Sequence, residues 1–467
     1  MELKSMELKS MELNSTDRVH IIGIGGAGMS ALATILHQRG YFVTGSDLKA
    51  SAIIEKLVAL GIEVNIGHDV ENIQGADVVA YSSAVRESNP ELKGARESGK
   101  KVMDRASLLT ELCKGLKVIT ISGTHGKTTT TSMMSLALVG AGLDPTFVVG
   151  GELNEVGSGA RSGSSEFMVV EADESDGTHL RIPSYLAILT NVEPDHLDYY
   201  GSLENLEIAF SRYIAGSTMP AIVCADDGGA MKVAAGAPFL SYGFSPKADF
   251  RIDELELFED GSRFSLFRDD KRLVQLRLAI PGRHNVLNAS GVLAASSTLG
   301  LSMEAVAVAL SRFTGVARRF QPKGSFNSAP FYDDYAHLPS EISVTLQSAR
   351  QVGGGRRVVA VFQPHRYSRT KELAYQLGKA LAGSDFAVVA DVYSAGEAAI
   401  PGISGLAVAE AAREFLGDDR VLYQPSRSEL AKSVARIVRP NDLVVTLGAG
   451  DITALFWEIK EFQSAKE

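Results

Sequence analysis

From Arg18 onward, short runs of β-branched and apolar residues alternate with segments whose apolar positions recur at helical spacing. The runs are RVHIIGIGG, YFVTGSD, ADVVAYSSA, KVITISG, EFMVVEAD, YLAILTN, RRVVAVFQP, DFAVVADVY and DLVVTLGAG. Strand, helix and strand in turn is the rhythm of βαβ units and of mostly parallel sheets, and it predicts an α/β protein. Asp249 to Ile280 breaks the rhythm, alternating apolar with polar residues around turns at Glu259-Asp260-Gly261 and Asp269-Asp270. This stretch predicts a small antiparallel meander at one edge of a central domain.

The rhythm restarts twice. Glu111 to Lys117 leads into a fresh strand, and TGVARRFQPKGS, from Thr314 to Ser325, lies between helical patterns and a new strand at Phe331. Boundaries near residues 117 and 323 follow. A chain of 467 residues at roughly 100 to 200 residues per domain fits three domains: 18–117, 118–322 and 323–467. Residues 1–17, which open MELKS MELKS MELNS, have no apolar segment and read as a disordered tail or as an artefact of an ambiguous start, since Met11 could equally begin the protein. They do not make a secretory signal.

Composition narrows the class. Apolar residues are 45% and charged residues 22% of the chain, as in soluble globular proteins. The longest charge-free apolar-leaning stretch, Thr128 to Leu143, falls short of the roughly 20 residues that span a bilayer. Two distant cysteines, Cys113 and Cys224, offer neither a disulfide framework nor a CxxC site, so a reducing cytoplasm is expected. A net charge of -10 argues against nucleic acid or anionic membrane as the main partner.

Against this acidic background several motifs mark local phosphate chemistry. Gly23-Ile24-Gly25-Gly26-Ala27-Gly28 fits GxGxxG between a strand and a helix, and Asp47 ends the next strand 19 residues after Gly28. Such glycines bring a diphosphate against backbone N–H groups, whether of a dinucleotide or of a UDP-sugar. Gly123-Thr124-His125-Gly126-Lys127-Thr128-Thr129-Thr130 follows the strand KVITIS and opens a helix. It offers N–H donors, a cation for β and γ phosphates and a hydroxyl for Mg2+, although the strict GxxxxGK[ST] spacing fails at Ile121 and Ser122.

Acidic groups close two further strands, in Glu171-Ala172-Asp173-Glu174-Ser175-Asp176 and in Asn191-Val192-Glu193-Pro194-Asp195-His196. A capping charge cluster is ordinarily a solvated loop. Two of them beside a phosphate loop favour metal ligation, with Glu171 and His196 the better candidates. Pro281 to Asn288 opens a helix with Asn285 and Asn288 one turn apart, where simple capping is an equal reading. Asp333-Asp334-Tyr335-Ala336-His337 and Gln363-Pro364-His365-Arg366-Tyr367-Ser368-Arg369 end strands in the last third, and guanidinium forks there suit carboxylate or phosphate. Of nine histidines, five (His125, His196, His284, His337, His365) fall inside these motifs.

In order, HIIGIGGAGMS, GTHGKTTT, EADESD, TNVEPDHLDYY, GRHNVLNA, ARRF, DDYAH and FQPHRYSRT resemble the Mur ligases from about Val19 to the C-terminus. The resemblance implies an N-terminal Rossmann-like domain for a UDP-sugar, a central P-loop-type ATPase domain with a mostly parallel sheet, and a C-terminal Rossmann-like ligase domain that closes over ATP and the amino acid. It places Gly25, Gly26, Ala27, Gly28, Ser46, Asp47, His68 and Ser83 at the UDP end. Gly123, Thr124, His125, Gly126, Lys127, Thr128, Thr129, Asn288, Arg319, Asp334 and Tyr335 would hold ATP. Thr128, Glu171 and His196 would hold Mg2+, with two ions expected, and His365, Arg366 and Arg369 would meet the acceptor carboxylate.

The implied reaction activates the lactyl carboxylate of UDP-N-acetylmuramate as an acyl phosphate, which the amine of L-alanine displaces through a tetrahedral intermediate. Lys127, Glu171, His196, His365, Arg366 and Arg369 are the implied catalytic set. The chain departs from the family pattern at Leu338, where a second His is usual, and at Thr178-His179-Leu180, where Ser-Phe-Leu is usual. Residues 201 to 219 contain no Lys, whereas sister ligases of later steps carry a carbamylated Lys there, consistent with an alanine-adding member. The alternatives are a tripeptide-recycling relative and, from GxGxxG and Asp47 alone, an NAD-dependent oxidoreductase. A monomer or a homodimer is expected.

Overall fold

The computed structural model describes residues 12–153 and 157–464. The first eleven residues of the expected tail lie outside the described residues. Of the rest of that segment, Leu13 packs against the apolar core and its N–H donates to Glu111 Oε2 at 3.3 Å. Asp17 is buried and accepts from Lys101 Nζ at 3.2 Å. An apolar anchor and a partly exposed ion pair thus tie down residues that the sequence assigned to the tail.

The first sheet holds β1 (Arg18–Ile22), β2 (Phe42–Asp47), β3 (Glu63–Ile66), β4 (Val78–Tyr81) and β5 (Lys101–Asp104), in the order β3-β2-β1-β4-β5. Every pairing is parallel. The order reverses between β1 and β4, so a crevice opens at the C-terminal end of β1, where the first glycine loop lies.

The second sheet runs through β6 (Lys117–Ser122), β7 (Thr146–Leu153), β8 (Ser158–Arg161), β9 (Phe167–Glu171), β10 (Leu186–Leu189), β11 (Ala221–Cys224), β12 (Phe239–Gly243), β13 (Phe250–Phe258), β14 (Gly261–Arg268) and β15 (Lys271–Leu278). Its order is β15-β14-β13-β12-β11-β10-β6-β9-β7-β8. β6 lies between β9 and β10, parallel to both, and five of its six residues are buried. The expected meander is β13 to β15. Its two-residue links force antiparallel neighbours, and Asp269 and Asp270 both take positive φ (48° and 57°), the backbone that matches strand twist at a tight hairpin.

The third sheet holds β16 (Gln321–Phe326), β17 (Ala329–Asp334), β18 (Val358–Phe362), β19 (Phe386–Ala390), β20 (Val421–Gln424) and β21 (Leu443–Leu447), in the order β16-β17-β21-β18-β19-β20. β16 and β17 form an antiparallel hairpin, and the remaining pairs are parallel. The strand expected at Phe331 is β17, but the sheet begins earlier, at Gln321, inside the stretch read as a connection. Lys323, Gly324 and Pro322 hid it: β16 is an edge strand, where Pro and bulges are tolerated.

Packing divides the chain into two units. One comprises the chain to Ile252 with Leu266–Leu273 and Asn288–Ala309, and the other comprises Asp253–Ser265, Val274–Leu287 and the chain from Leu310. Within the first, one apolar core joins the helices of the first sheet to those of the second, from Met29 and Leu109 through Met168 to Phe210. Among the described residues no helix is long and apolar enough to cross a membrane.

Gly45 in β2 lets this first core close. A Cβ there would lie 2.5 Å from Ile24 Cδ1 and 2.8 Å from the Ile21 carbonyl oxygen. Gly45→Ala should overpack the β1–β2 crossing at a cost of about 1–3 kcal/mol and lower the first thermal transition by several degrees. An unchanged melting profile would contradict this packing.

Candidate active site

β6 ends at Ser122, and the chain turns into the helix Lys127–Gly140 through two glycines with positive φ, Gly123 (135°) and Gly126 (80°). Gly126 is the N-cap and supplies no side-chain acceptor, which leaves the first-turn N–H groups open to an anion. The next strand end braces the loop. The His125 N–H donates to Asn191 Oδ1 at 2.7 Å, and the His125 carbonyl accepts from Thr190 Oγ1 at 2.6 Å and from Asn191 Nδ2 at 3.1 Å. The His125 ring meets Glu193 at 3.1 Å. A Cβ on Gly126 would lie 2.7 Å from Asn288 Oδ1, so Asn288 stands against the loop. Thr129 is buried in the first helical turn.

The Lys127 ammonium donates to the carbonyls of Gly123 (2.7 Å) and Thr124 (3.2 Å) and to Glu174 Oε1 (2.7 Å). Burial works against its charge, but the carboxylates of Glu174, Asp173 and Glu171 outweigh burial and hold its pKa above the ordinary value. Burial pushes Glu174 up to about 7 even beside this cation. Asp173 ends low: burial would raise it, but Lys127 and the hydrogen bond from the Ser175 N–H prevail.

Thr128 Oγ1 donates to Glu171 Oε1 at 3.1 Å, and the Gly150 N–H donates to Glu171 Oε2 at 2.7 Å. A Cβ on Gly150 would come within 2.7 Å of that carboxylate. His196 adopts φ 52° and its Nε2 faces Asp195 at 3.3 Å. Among the described residues no group of three or more His, Cys, Asp and Glu side chains converges as a metal cage. A hydroxyl and a carboxylate oxygen 3.1 Å apart nevertheless fit Mg2+, which keeps several waters and takes one or two protein oxygens alongside phosphate.

In the first sheet the Gly25 N–H donates to Asp47 Oδ2 at 2.9 Å, so Asp47 fastens the glycine loop. The helix Ala27–Gln38 begins after Gly26 without a side-chain cap, leaving a second open helix N-terminus. Ser83 is exposed at the end of β4. Ser46 turns inward: it is fully buried and donates to Glu91 Oε2 at 2.5 Å. Its hydroxyl therefore braces His68, whose Nδ1 lies 3.1 Å from Ser46 and 3.2 Å from Glu91. Glu91, absent from the sequence-derived set, is the hub. Burial would raise its pKa, but His20, 3.7 Å away, and hydrogen bonds from Ser46 and Asn72 bring it to about 2.

Arg105 also escaped the sequence reading. Its Nη1 lies 3.3 Å from where a Cβ on Gly28 would be, and its Nη2 donates to Asp176 Oδ2 (2.8 Å) and Thr178 Oγ1 (3.2 Å). It links the first glycine loop to the turn that follows Glu174. These partners are 71 and 73 residues away in sequence, so no local pattern announces them.

In the second unit Asp334 is buried and accepts from the N–H groups of Phe320 (2.7 Å) and Ala336 (2.8 Å). Burial raises it to about 6, against the pull of Arg319. Arg318 and Arg319 lie over the Tyr335 ring at 4.8 and 5.3 Å. His365 stacks on Tyr393, and its Nδ1 faces Arg369 Nη1 at 3.3 Å. Burial, followed by His337, Arg369 and Arg366, lowers His365 to about 4, so it is a neutral acceptor. Arg366 holds φ 70° at the start of the helix Tyr367–Leu381, its N–H on the Tyr393 carbonyl at 2.9 Å. A non-glycine residue kept in that region at a strand end is strained backbone of the kind found at functional sites.

Three family models cover most of the chain: the Mur ligase family catalytic domain over residues 18–116, the Mur ligase middle domain over 121–296, and the Mur ligase glutamate ligase domain over 318–450. The chain belongs to the Mur ligase family. Curated Mur ligases similar to it include the UDP-N-acetylmuramate–L-alanine ligases of Halorhodospira halophila (43% identical, 94% of this chain and 92% of that one) and Pelotomaculum thermopropionicum (44%, 93% and 95%). The crystal structure of the UDP-N-acetylmuramate-alanine ligase of Thermotoga maritima superimposes with TM-score 0.82 at 29% identity, over 96% of this chain and all of that one. A murein peptide ligase of Psychrobacter arcticus shares the fold at TM-score 0.70 and 24% identity, over 95% of this chain and 98% of that one.

Both departures from the Mur ligase pattern fall on buried positions. Leu338 is 5% exposed and precedes the helix Pro339–Gly353, while Glu341 caps that helix through the N–H groups of His337 and Leu338. His179 is 1% exposed beside Phe210 and Tyr213, and neither ring nitrogen has a hydrogen-bond partner. Burial, opposed by Asp173, lowers its pKa from 6.5 to about 4. The unfolded chain therefore binds a proton that the folded chain refuses, and stability is lost as pH falls from 6.5 toward 4. His179→Phe should remove up to about 3 kcal/mol of that loss and add about 1–2 kcal/mol at neutral pH by eliminating the orphaned nitrogens. Urea titrations of both proteins at about pH 5 and 7 check this, and parallel stability curves for the two would contradict it.

Proposed function

We propose that this chain joins L-alanine to the lactyl carboxylate of UDP-N-acetylmuramate, converting ATP to ADP and phosphate, as a cytoplasmic step in peptidoglycan precursor synthesis. It is an ATP-dependent amide ligase of the Mur family. The observation that carries the reading is the largely buried Lys127 ammonium in a braced glycine loop, beside the Thr128–Glu171 oxygen pair, in a chain matched nearly end to end by alanine-adding relatives.

The residues divide the work. N–H groups at Ala27 and Gly28 receive the UDP diphosphate at a helix N-terminus, with Gly25 and Gly26 shaping the turn, Asp47 and Ser46 as braces and His68 and Ser83 at the rim. The loop from Gly123 to Thr129 cradles the ATP phosphates, Lys127 offsets the charge that grows between two anionic reactants, and Asn288, Arg319, Asp334 and Tyr335 serve the nucleotide. Thr128, Glu171 and His196 would hold Mg2+, which when bound neutralises phosphate oxygens. His365 accepts from Arg369 and orients it, so Arg366 and Arg369 present paired guanidinium groups to the alanine carboxylate.

Phosphate release should require ATP, UDP-N-acetylmuramate and alanine together. Release with a peptide but not with alanine, or turnover of NADH, would refute the assignment. Lys127→Ala should lose about 3 kcal/mol or more of transition-state stabilisation, roughly a hundredfold or more in rate, with UDP-substrate binding retained. Retention of more than about a tenth of the activity would refute the phosphate role. Arg366→Ala should forfeit about 2–4 kcal/mol at the alanine carboxylate, raising the alanine requirement by roughly one and a half to three orders of magnitude. Acyl-phosphate trapping by borohydride without alanine should persist in that variant, and its loss with unchanged alanine dependence would move Arg366 to phosphoryl transfer.

A further inference from the structure

An ammonium has three protons, and all three of Lys127 are taken, by the carbonyls of Gly123 and Thr124 and by Glu174 Oε1. A phosphate that reaches this loop must take over at least one of these bonds. The two carbonyls belong to a backbone fastened by Thr190 and Asn191, and they cannot leave without dismantling the loop. Glu174 is the partner carried on a side chain. Its second oxygen, Oε2, is buried with no hydrogen-bond partner in a side chain 2% exposed, an expensive arrangement for a carboxylate and one that a folding role alone does not require.

We propose that Glu174 is a positioning residue that holds the Lys127 ammonium back from the nucleotide and yields it when the ATP phosphates arrive. This rests on the reading of the Lys127 loop as the ATP site. The groups facing Glu174 are Lys127 from the helix Lys127–Gly140, Asp173 from its own loop, Tyr200 and Tyr213. Tyr200 donates its hydroxyl to the Glu174 carbonyl at 2.6 Å. Of these groups Lys127 alone carries positive charge. When Lys127 turns to phosphate, the buried carboxylate loses its counter-ion and takes one proton from solvent, becoming a neutral acid. Burial already places Glu174 at about 7 with the cation beside it, so the group is poised for that uptake. ATP then meets an unopposed ammonium and one fewer negative charge.

The test is calorimetric titration of ATP into the full-length protein at about pH 8, with and without EDTA, in two buffers of different ionisation enthalpy. The wild type should take up most of a proton per ATP bound. Glu174→Gln should take up none and bind ATP about tenfold more tightly, because the fraction of protein with a released Lys127 rises. Its affinity for UDP-N-acetylmuramate should be unchanged, which also reports that the variant is folded. Weaker ATP binding by the variant, or ATP binding by the wild type without proton uptake, would overturn the proposal. If the variant does not fold, the wild-type buffer pair decides alone. A wild type that binds no ATP in either condition would overturn the assignment of the loop itself.

Discussion

A largely buried lysine keeps its charge only where carboxylates and carbonyls replace the water it has lost, and the central part of this chain is built around one such lysine. Lys127 follows a left-handed glycine at the first position of its helix. Its two carbonyl partners are fixed by the Gly123–Gly126 turn, and its carboxylates come from the end of the neighbouring strand β9. That geometry needs β6 between β9 and β10, so that Glu171 and Glu174 stand on one side of the loop and Thr190 and Asn191 on the other. The parallel sheet thus gathers into one place residues that lie as much as 69 positions apart in sequence.

The two other regions that the sequence motifs single out reuse the same physics with different balances. The first glycine loop has no lysine: an uncapped helix N-terminus supplies the positive end, and Asp47 spends its charge on fixing the loop. Behind it, Glu91 stays ionised in a fully buried position because His20, Ser46, His68 and Asn72 surround it, which converts polar side chains into a rigid floor for the crevice. In the second unit, Asp334 is satisfied by two backbone N–H groups while two arginines cover Tyr335. Arg318 is itself tied to the carbonyls of Gly448 (2.8 Å) and Gly450 (3.1 Å), so it braces the Tyr335 ring from behind.

The sequence disclosed strands and motifs better than it disclosed burial. All nine runs read as strands are strands, because a β-branched run between glycine or acidic turns leaves few other structures open. The meander was equally legible, since Asp269-Asp270 and strict alternation are local signals. Short polar strands such as β3 (EVNI) and the Pro- and Gly-bearing edge strand β16 carried no such signal. At the site, the motifs located Lys127, Thr128, Glu171 and Asn288, whose neighbours are largely set by the loop. They did not show that Ser46 turns inward or that Arg105 bridges two loops, nor did they single out the half-unsatisfied carboxylate of Glu174. Those properties depend on what packs against a residue from far along the chain.

The central claim is that the Lys127 loop and its carboxylates serve transfer of a phosphoryl group to a substrate carboxylate, rather than hydrolysis or redox chemistry. It is tested most directly by following oxygen. UDP-N-acetylmuramate labelled with 18O in the lactyl carboxylate should, in the presence of ATP and L-alanine, deliver one labelled oxygen to the released inorganic phosphate for each amide formed. Unlabelled phosphate accompanying amide formation would mean that the carboxylate never attacked the γ-phosphorus, and would contradict the account.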